Sequence, residues 1–365
     1  MKKILTLLVS ITLVMSLFAA CGKKEEDATT NTPTTAPAAE DTDTPAADET
    51  DAPAATDEAA KTGLAVITSL GKSKDAGEKD GLAQIDSTVV AVLVGADGKI
   101  LDVDIDTAQT KVNFSAEGKL VTDVNTTYKS KQELGDEYGM RKASSIGKEW
   151  NEQADAFAAY VVGKTVEEVT GIALDEEGVV TDADLVASVT MGVDTYIAAI
   201  EKAVANAQDL GAKAGDKLGL AIETNIKKSK DATAEADGLA QAYSTYTALT
   251  TDASGKITSA VIDSSQGNVN FSAAGVVTTD LTVAPQTKQE LKEAYGMLKN
   301  SAIGKEWYEQ ANAFATYVTG KTVEEVKGIA VTDGKPSDAE LASSVSVTIS
   351  SFISTIEKAA ANAVK

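Results

Sequence analysis

Asp80-Gly81-Leu82-Ala83-Gln84 and Asp237-Gly238-Leu239-Ala240-Gln241 are the same five residues, 157 positions apart. Two more segments return at that offset. Val112-Asn113-Phe114-Ser115-Ala116 becomes Val269-Asn270-Phe271-Ser272-Ala273, and Ile146-Gly147-Lys148-Glu149-Trp150 becomes Ile303-Gly304-Lys305-Glu306-Trp307. A period this long is a whole folding unit rather than one turn of a solenoid. The first copy is read as residues 62–208 and the second as 217–365. The join between them, residues 209–216, is short and rich in Gly and Ala.

Within a copy the elements read in order. Thr88 to Val94 is a β-branched run. Asp97-Gly98 is a hairpin signal, since Gly accepts the positive φ of a tight turn. Leu101, Val103 and Ile105 then alternate with Asp102, Asp104 and Asp106, which predicts a strand with one wet face. The Asp104/Asp106 row is read as that solvated face rather than as cation ligands, the second copy being read as lacking both acids. Leu134, Tyr138, Ile146, Trp150, Phe157 and Val161 fall on a helical stripe, repeated by Leu291, Tyr295, Ile303, Trp307, Phe314 and Val318. The stripe predicts one long helix, with a kink or break near Ser144-Ser145 where Gly139 and Gly147 interrupt it. Gly163 stops it, and Thr165-Val166-Glu167-Glu168 reads as a capping box. Each copy ends in an amphipathic helix, beginning near Val193 and Ile349. Strands first and helices after give an α+β class, with helices packed on an antiparallel sheet.

The first 61 residues are a different polymer. Lys2 and Lys3 precede an apolar run from Ile4 to Phe18, and Ala19-Ala20-Cys21 follows. The run is shorter than the roughly 20 residues a spanning helix needs. It reads as a signal peptide, residues 1–20, cleaved before a cysteine in the manner of a bacterial lipoprotein. Cys21 is then the lipidated N-terminus and holds the protein on the extracellular face of the cell membrane. Residues 22–61 carry Pro33, Pro37, Pro45 and Pro53 among Thr, Ala, Asp and Glu, without an aromatic residue. Such a segment buries too little to offset its conformational entropy and reads as a disordered acidic tether.

Composition removes several function classes. The net charge of −22 excludes nucleic acid as a partner, since that needs basic patches. It also leaves the lipid as the attachment to the membrane. With no histidine and one cysteine, the usual general base is missing and no intrachain disulfide forms. Gly163-Lys164-Thr165 and Gly320-Lys321-Thr322 resemble the end of a phosphate loop, but Ala158 and Ala315 stand where its first glycine belongs. Ser144 with Lys148, and Ser301 with Lys305, read as surface residues rather than a nucleophile and its base. Tyr138, Trp150, Tyr295 and Trp307 are candidate ligand-stacking groups.

Read in order, the segments resemble the FMN-binding domain family of exported and respiratory flavoproteins. The resemblance runs through Asp80-Gly81, Val89 to Val94, the hairpin Asp97-Gly98-Lys99-Ile100 and Leu101 to Ile105. It closes on Asp184 with Ala187-Ser188-Val189-Thr190, and on Glu340 with Ser343-Ser344-Val345-Ser346 and Thr348. The resemblance implies FMN as cofactor, attached through phosphate to Thr190 and Ser346 by a flavin transferase, with Ser188, Ser344 and Thr348 beside it. It implies a lipoprotein that relays electrons to a redox partner rather than an enzyme with its own substrate. The glycine of the family's segment is here Ser188 and Ser344, which adds bulk where the backbone approaches phosphate. Covalent FMN, noncovalent FMN and a flavin-free binding or structural surface protein therefore all stay open.

Overall fold

The computed structural model describes residues 57–363. The first copy forms β1 (Lys61–Ser69), β2 (Gly81–Val94) and β3 (Ile100–Phe114). Helices α1 (Lys131–Leu134), α2 (Trp150–Val161), α3 (Val166–Thr170), α4 (Ala183–Val186) and α5 (Asp194–Ala205) follow. The second copy repeats this as β4 (Lys217–Asn225), β5 (Gly238–Thr251), β6 (Ile257–Phe271), α6 (Lys288–Leu291), α7 (Trp307–Val318) and α8 (Val323–Lys327). A small hairpin, β7 (Val331–Thr332) and β8 (Lys335–Pro336), precedes α9 (Ala339–Ala342) and α10 (Ser350–Asn362). Each copy is thus an antiparallel three-stranded meander with helices packed on it. The class is α+β.

The central strands are buried on both faces. Val90, Val92 and Val94 point to the helices and pack with Trp150, Phe157, Val161, Ile197 and Ile200. Val89, Ala91 and Leu93 point the other way, onto Leu218, Leu220, Tyr246 and Ala248 of the second copy. The wet face expected of β3 is therefore only partly wet: Asp102 and Asp104 are half-buried, and Asp106 is buried. The layers run helix, sheet, sheet, helix.

The seam between the sheets obeys a pseudo-twofold. Phe114 stacks on Phe271, its own equivalent, with ring centroids 4.2 Å apart and planes 6° from parallel. A residue that meets its own equivalent lies on the axis, as in an isologous dimer interface. Other contacts come in reciprocal pairs. The Ala76 N–H donates to Gly275 O and the Ala232 N–H to Gly118 O, both at 2.8 Å. Leu120 N–H donates to the Asp231 carboxylate and Val277 N–H to that of Asp75. Lys358 pairs with Glu133 at 2.7 Å, and Lys202 with Glu290 at 2.5 Å. The join is part of this seam: Ala212 is buried, and its carbonyl accepts the N–H of Ala60.

The expected long helix is not one helix. Only α1 and α2 are α-helical, separated by 3-10 turns at Gly135–Tyr138 and Met140–Lys142. Gly135, Gly139 and Gly147 all take positive φ, a region in which a side chain strains the backbone. The buried Glu149 carboxylate then accepts the N–H groups of Met140 and Arg141 at 2.8 and 2.9 Å, folding the segment back. Glu306 does the same for Met297 and Leu298. Gly163 at φ 83° and the Thr165 cap end and restart the helices as the sequence predicts. Cys21, the signal peptide and most of the tether lie outside the described residues. Among the described residues no helix is long and apolar enough to cross a membrane.

Candidate functional site

The first turn of α2 and its equivalent in α7 gather most of the residues singled out in the sequence. Trp150 and Gln153 lie one turn apart and both are buried. The Trp150 indole N–H donates to the Tyr196 hydroxyl of α5 at 2.9 Å, and the rings meet edge to face. Gln153 is the hub. Its amide donates to Ser144 Oγ and Lys148 O, and its Oε1 accepts the N–H and hydroxyl of Thr190, at 2.9 and 3.3 Å. Gln310 repeats this with Ser301, Lys305 and Ser346, and also accepts the Val347 N–H. Ser144 and Ser301 therefore bond to backbone and to a glutamine, not to a lysine amine.

The candidate stacking residues already hold a cation. Lys288 Nζ sits 4.5, 4.6 and 4.9 Å from the ring centres of Tyr243, Tyr295 and Trp307, and donates to the Tyr243 hydroxyl at 2.7 Å. Lys288 is 3% exposed. Burial pushes its pKa down to about 7, while the nearby negative Asp263 and the faces of three rings favour the charged form. Burial also pushes the Tyr243 hydroxyl up to about 12. In the first copy Lys131 has two rings, Tyr138 at 4.7 Å and Trp150 at 5.1 Å. Asp86 stands where Tyr243 would make the third, and it pairs instead with Lys72 and Gln84. Trp150 and Trp307 are core residues, so neither offers a free face; Tyr138 and Tyr295 are half-buried.

Of the expected cofactor residues, Thr190, Ser188, Ser344 and Ser346 are half-buried and Thr348 is exposed. All lie on the link between the last two helices of their copy. A flavin phosphate seeks free N–H groups without a competing anion. The Thr190 and Ser346 N–H groups are spent on glutamine, and α5 opens with Asp194. The Ser344 hydroxyl is turned back to Leu341 O. As folded, neither Thr190 nor Ser346 presents a free backbone N–H to a phosphate; α10, unlike α5, carries no acid in its first turn.

The open spaces lie at the seam. One groove, of about 400 Å3, is walled by β3 and α2 of the first copy and by Leu220 and Asn362 of the second. Its lining includes the apolar residues Val103, Ile105, Ala158, Val162 and Leu220. Asp102, Asp104, Asp155 and the buried Asp106 also line it, and no lysine or arginine does. Burial raises the Asp102 carboxyl, against hydrogen bonds from the Val103 and Leu218 N–H groups and the charge of Lys217. The pseudo-equivalent groove, of about 580 Å3, has Asp263 but also Lys202 and Lys292. Here Ser259, Val261 and Asn312 replace Asp102, Asp104 and Asp155. The sequence reading of the acidic row needs two corrections. The second copy keeps Asp263 in place of Asp106, and these two are buried, while Asp104 is half-buried beside the groove. Among the described residues no group of acids is placed to hold a metal ion.

The sequence reading missed the seam, the glutamine hubs and the caged lysines. One signal was present: a polar Gln recurs three residues after Trp in both copies, on the face that is otherwise apolar.

Comparison with known proteins adds little. A stretch of 42 residues, 12% of this chain, is 50% identical to a protein described as chlorophenol reductase from Desulfitobacterium hafniense. That stretch spans 13% of the relative's own length. No family model matches the chain, and no solved structure matches it.

Proposed function

We propose that this is a non-catalytic, ligand-binding surface lipoprotein. Cys21 anchors it to the outer face of the cell membrane, and the fused pair of repeats takes a small cationic ligand with an apolar body in the acidic seam groove. The observation that carries this reading is the groove's lining, in which Val103, Ile105, Ala158, Val162 and Leu220 stand with Asp102, Asp104 and Asp155 and no lysine or arginine is included. Convergent polar groups over an apolar cleft are the usual form of a small-molecule site. No nucleophile with a base accompanies it, so binding rather than turnover fits. The test uses hexylamine and hexanoate as matched probes in thermal unfolding. Hexylamine raises the melting temperature of the wild type, hexanoate does not, and the double variant Asp104→Asn/Asp155→Asn loses the response. Equal effects of both probes sink the proposal.

A second reading, FMN carriage and electron relay, has the family resemblance and the short identity with a protein described as a reductase in its favour. Intact mass after coexpression with a flavin transferase separates the two. A gain of one or two FMN groups that vanishes in Thr190→Ala or Ser346→Ala establishes the redox reading. No gain, with no flavin released on denaturation, removes it.

A further inference from the structure

Two carboxylates sit where the seam is made. Asp106 and Asp263 occupy equivalent positions on β3 and β6, and both are buried. Asp106 Oδ1 accepts the N–H of Thr107 at 2.7 Å and that of Gln132, in α1, at 3.0 Å. Asp263 Oδ1 accepts those of Ser264 and Gln289, in α6, at the same distances. The residue after each glutamine is the acid that crosses the seam: Glu133 to Lys358, and Glu290 to Lys202. Each buried carboxylate thus anchors the short helix whose next side chain ties one copy to the other.

We propose that the seam is proton-responsive: uptake of one proton by each of these carboxylates tightens the joint between the two copies. A neutral carboxyl keeps its carbonyl oxygen as acceptor for both N–H groups, so protonation removes the buried charge without removing the anchor. Other charged or titratable groups face these sites. Around Asp106 they are Glu133, Lys358, Asp155 and the acids of its own strand, Asp102 and Asp104. Around Asp263 they are Glu290, Lys202, Lys292, Lys288 and the buried Tyr246 of β5.

Burial acts on both carboxyls in the same sense. Burial pushes Asp106 up to about 6 and Asp263 up to about 7; hydrogen bonds from Ser130 and Thr287 oppose this, and Glu133 and Glu290 add to it. A carboxyl raised on folding stabilises the fold fully below its unfolded value near 3.8. That stabilisation is lost as pH rises through the folded value. The window is therefore about pH 4 to 7, and stability rises on acidification.

Urea unfolding of the full chain between about pH 4.5 and 7.5 tests this, for the wild type, Asp106→Asn, Asp263→Asn and the double variant. The wild-type midpoint rises as pH falls, each single variant loses part of the rise, and the double variant keeps only the remainder that other raised carboxyls such as Asp102 contribute. A double variant with the wild-type slope overturns the proposal, as does a wild type that weakens on mild acidification. If the asparagine variants fail to fold, carboxyl carbon titrations by NMR on the wild type decide, ordinary values near 4 overturning it. Hydrogen exchange distinguishes the seam from the anchors alone. Protection of the Ala76 and Ala232 amides, which donate across the seam, rises with acidification in the wild type; unchanged protection overturns the proposed coupling.

Discussion

The two copies share a backbone plan but not their chemistry. What they keep is what shapes each copy and fixes the axis between them. Glu149 and Glu306 clamp the same turns, Gln153 and Gln310 hold the same links, and Phe114 meets Phe271 on the axis. What they change lies in the two grooves, at the caged lysines and on the inner sheet faces. Asp102, Asp104 and Asp155 become Ser259, Val261 and Asn312. Asp86 becomes Tyr243, Tyr196 becomes Phe352, and Val89 and Leu93 become Tyr246 and Thr250. A shape held in common with divergent linings is how a duplicated unit keeps its joint while the two grooves come to differ.

The comparison breaks most visibly on the axis. Phe114→Ala and Phe271→Ala should each cost about 3–5 kcal/mol, because both rings are fully buried and each opens a cavity at the seam. The two costs should be equal within error, and the double variant should cost less than their sum, since the rings lose the same contact. Urea unfolding of the three variants measures this. Unequal single costs would show that the pseudo-twofold does not hold energetically.

Next comes a bond that only the first copy has. Trp150 donates its indole N–H to Tyr196, whereas Trp307 meets Phe352 edge to face and has no such acceptor there. Tyr196→Phe leaves that N–H unpaired in the core and should cost about 1–3 kcal/mol. Denaturation midpoints of Tyr196→Phe against wild type read this, and an unchanged midpoint would mean the indole finds another acceptor.

Much of this arrangement was legible in the sequence. The repeat, the Asp97-Gly98 hairpin, the Thr165 cap and the α+β order follow from local chemistry, which acts over a few residues. The broken helix was half legible: Gly139 and Gly147 announce interruption, but the Glu149 clamp needs the chain to fold back on itself. The seam was not legible at all. The row Asp102, Asp104, Asp106 alternates like a solvated face, and only the presence of a second sheet turns part of that face inward. Lys288 was missed for the same reason, since its three rings come from β5, the turn after α6, and α7. The sequence distance between Tyr243 and Trp307 hides their common target.

Third in size is the difference between the caged lysines. Lys288 is desolvated, whereas Lys131 is half-exposed. Lys288→Met exchanges a buried ammonium for an apolar chain of similar length, giving up ring contacts of a few kcal/mol at most against a larger desolvation cost. A gain of about 1 kcal/mol is expected. Lys131→Met should stay within about 0.5 kcal/mol, as surface substitutions do. Thermal unfolding of both variants at one pH compares them, and a destabilised Lys288→Met would show that the cage depends on its cation.

The smallest effects separate the two ion pairs that cross the seam. Lys202 and Glu290 are 33% and 28% exposed, and Lys358 and Glu133 are 41% and 32% exposed. Partly solvated pairs of this kind contribute about 1 kcal/mol or less, and salt screens them. Lys202 also donates to Val66 O, so it is held in place before its partner arrives and gives up less side-chain freedom on pairing. Glu290→Gln should therefore cost slightly more than Glu133→Gln, and the gap should close as ionic strength rises from about 0.05 to 1 M. Denaturation midpoints across that salt range test it. A gap that survives high salt would assign the difference to packing rather than charge, and the two ends of the seam would then differ in shape as well as in lining.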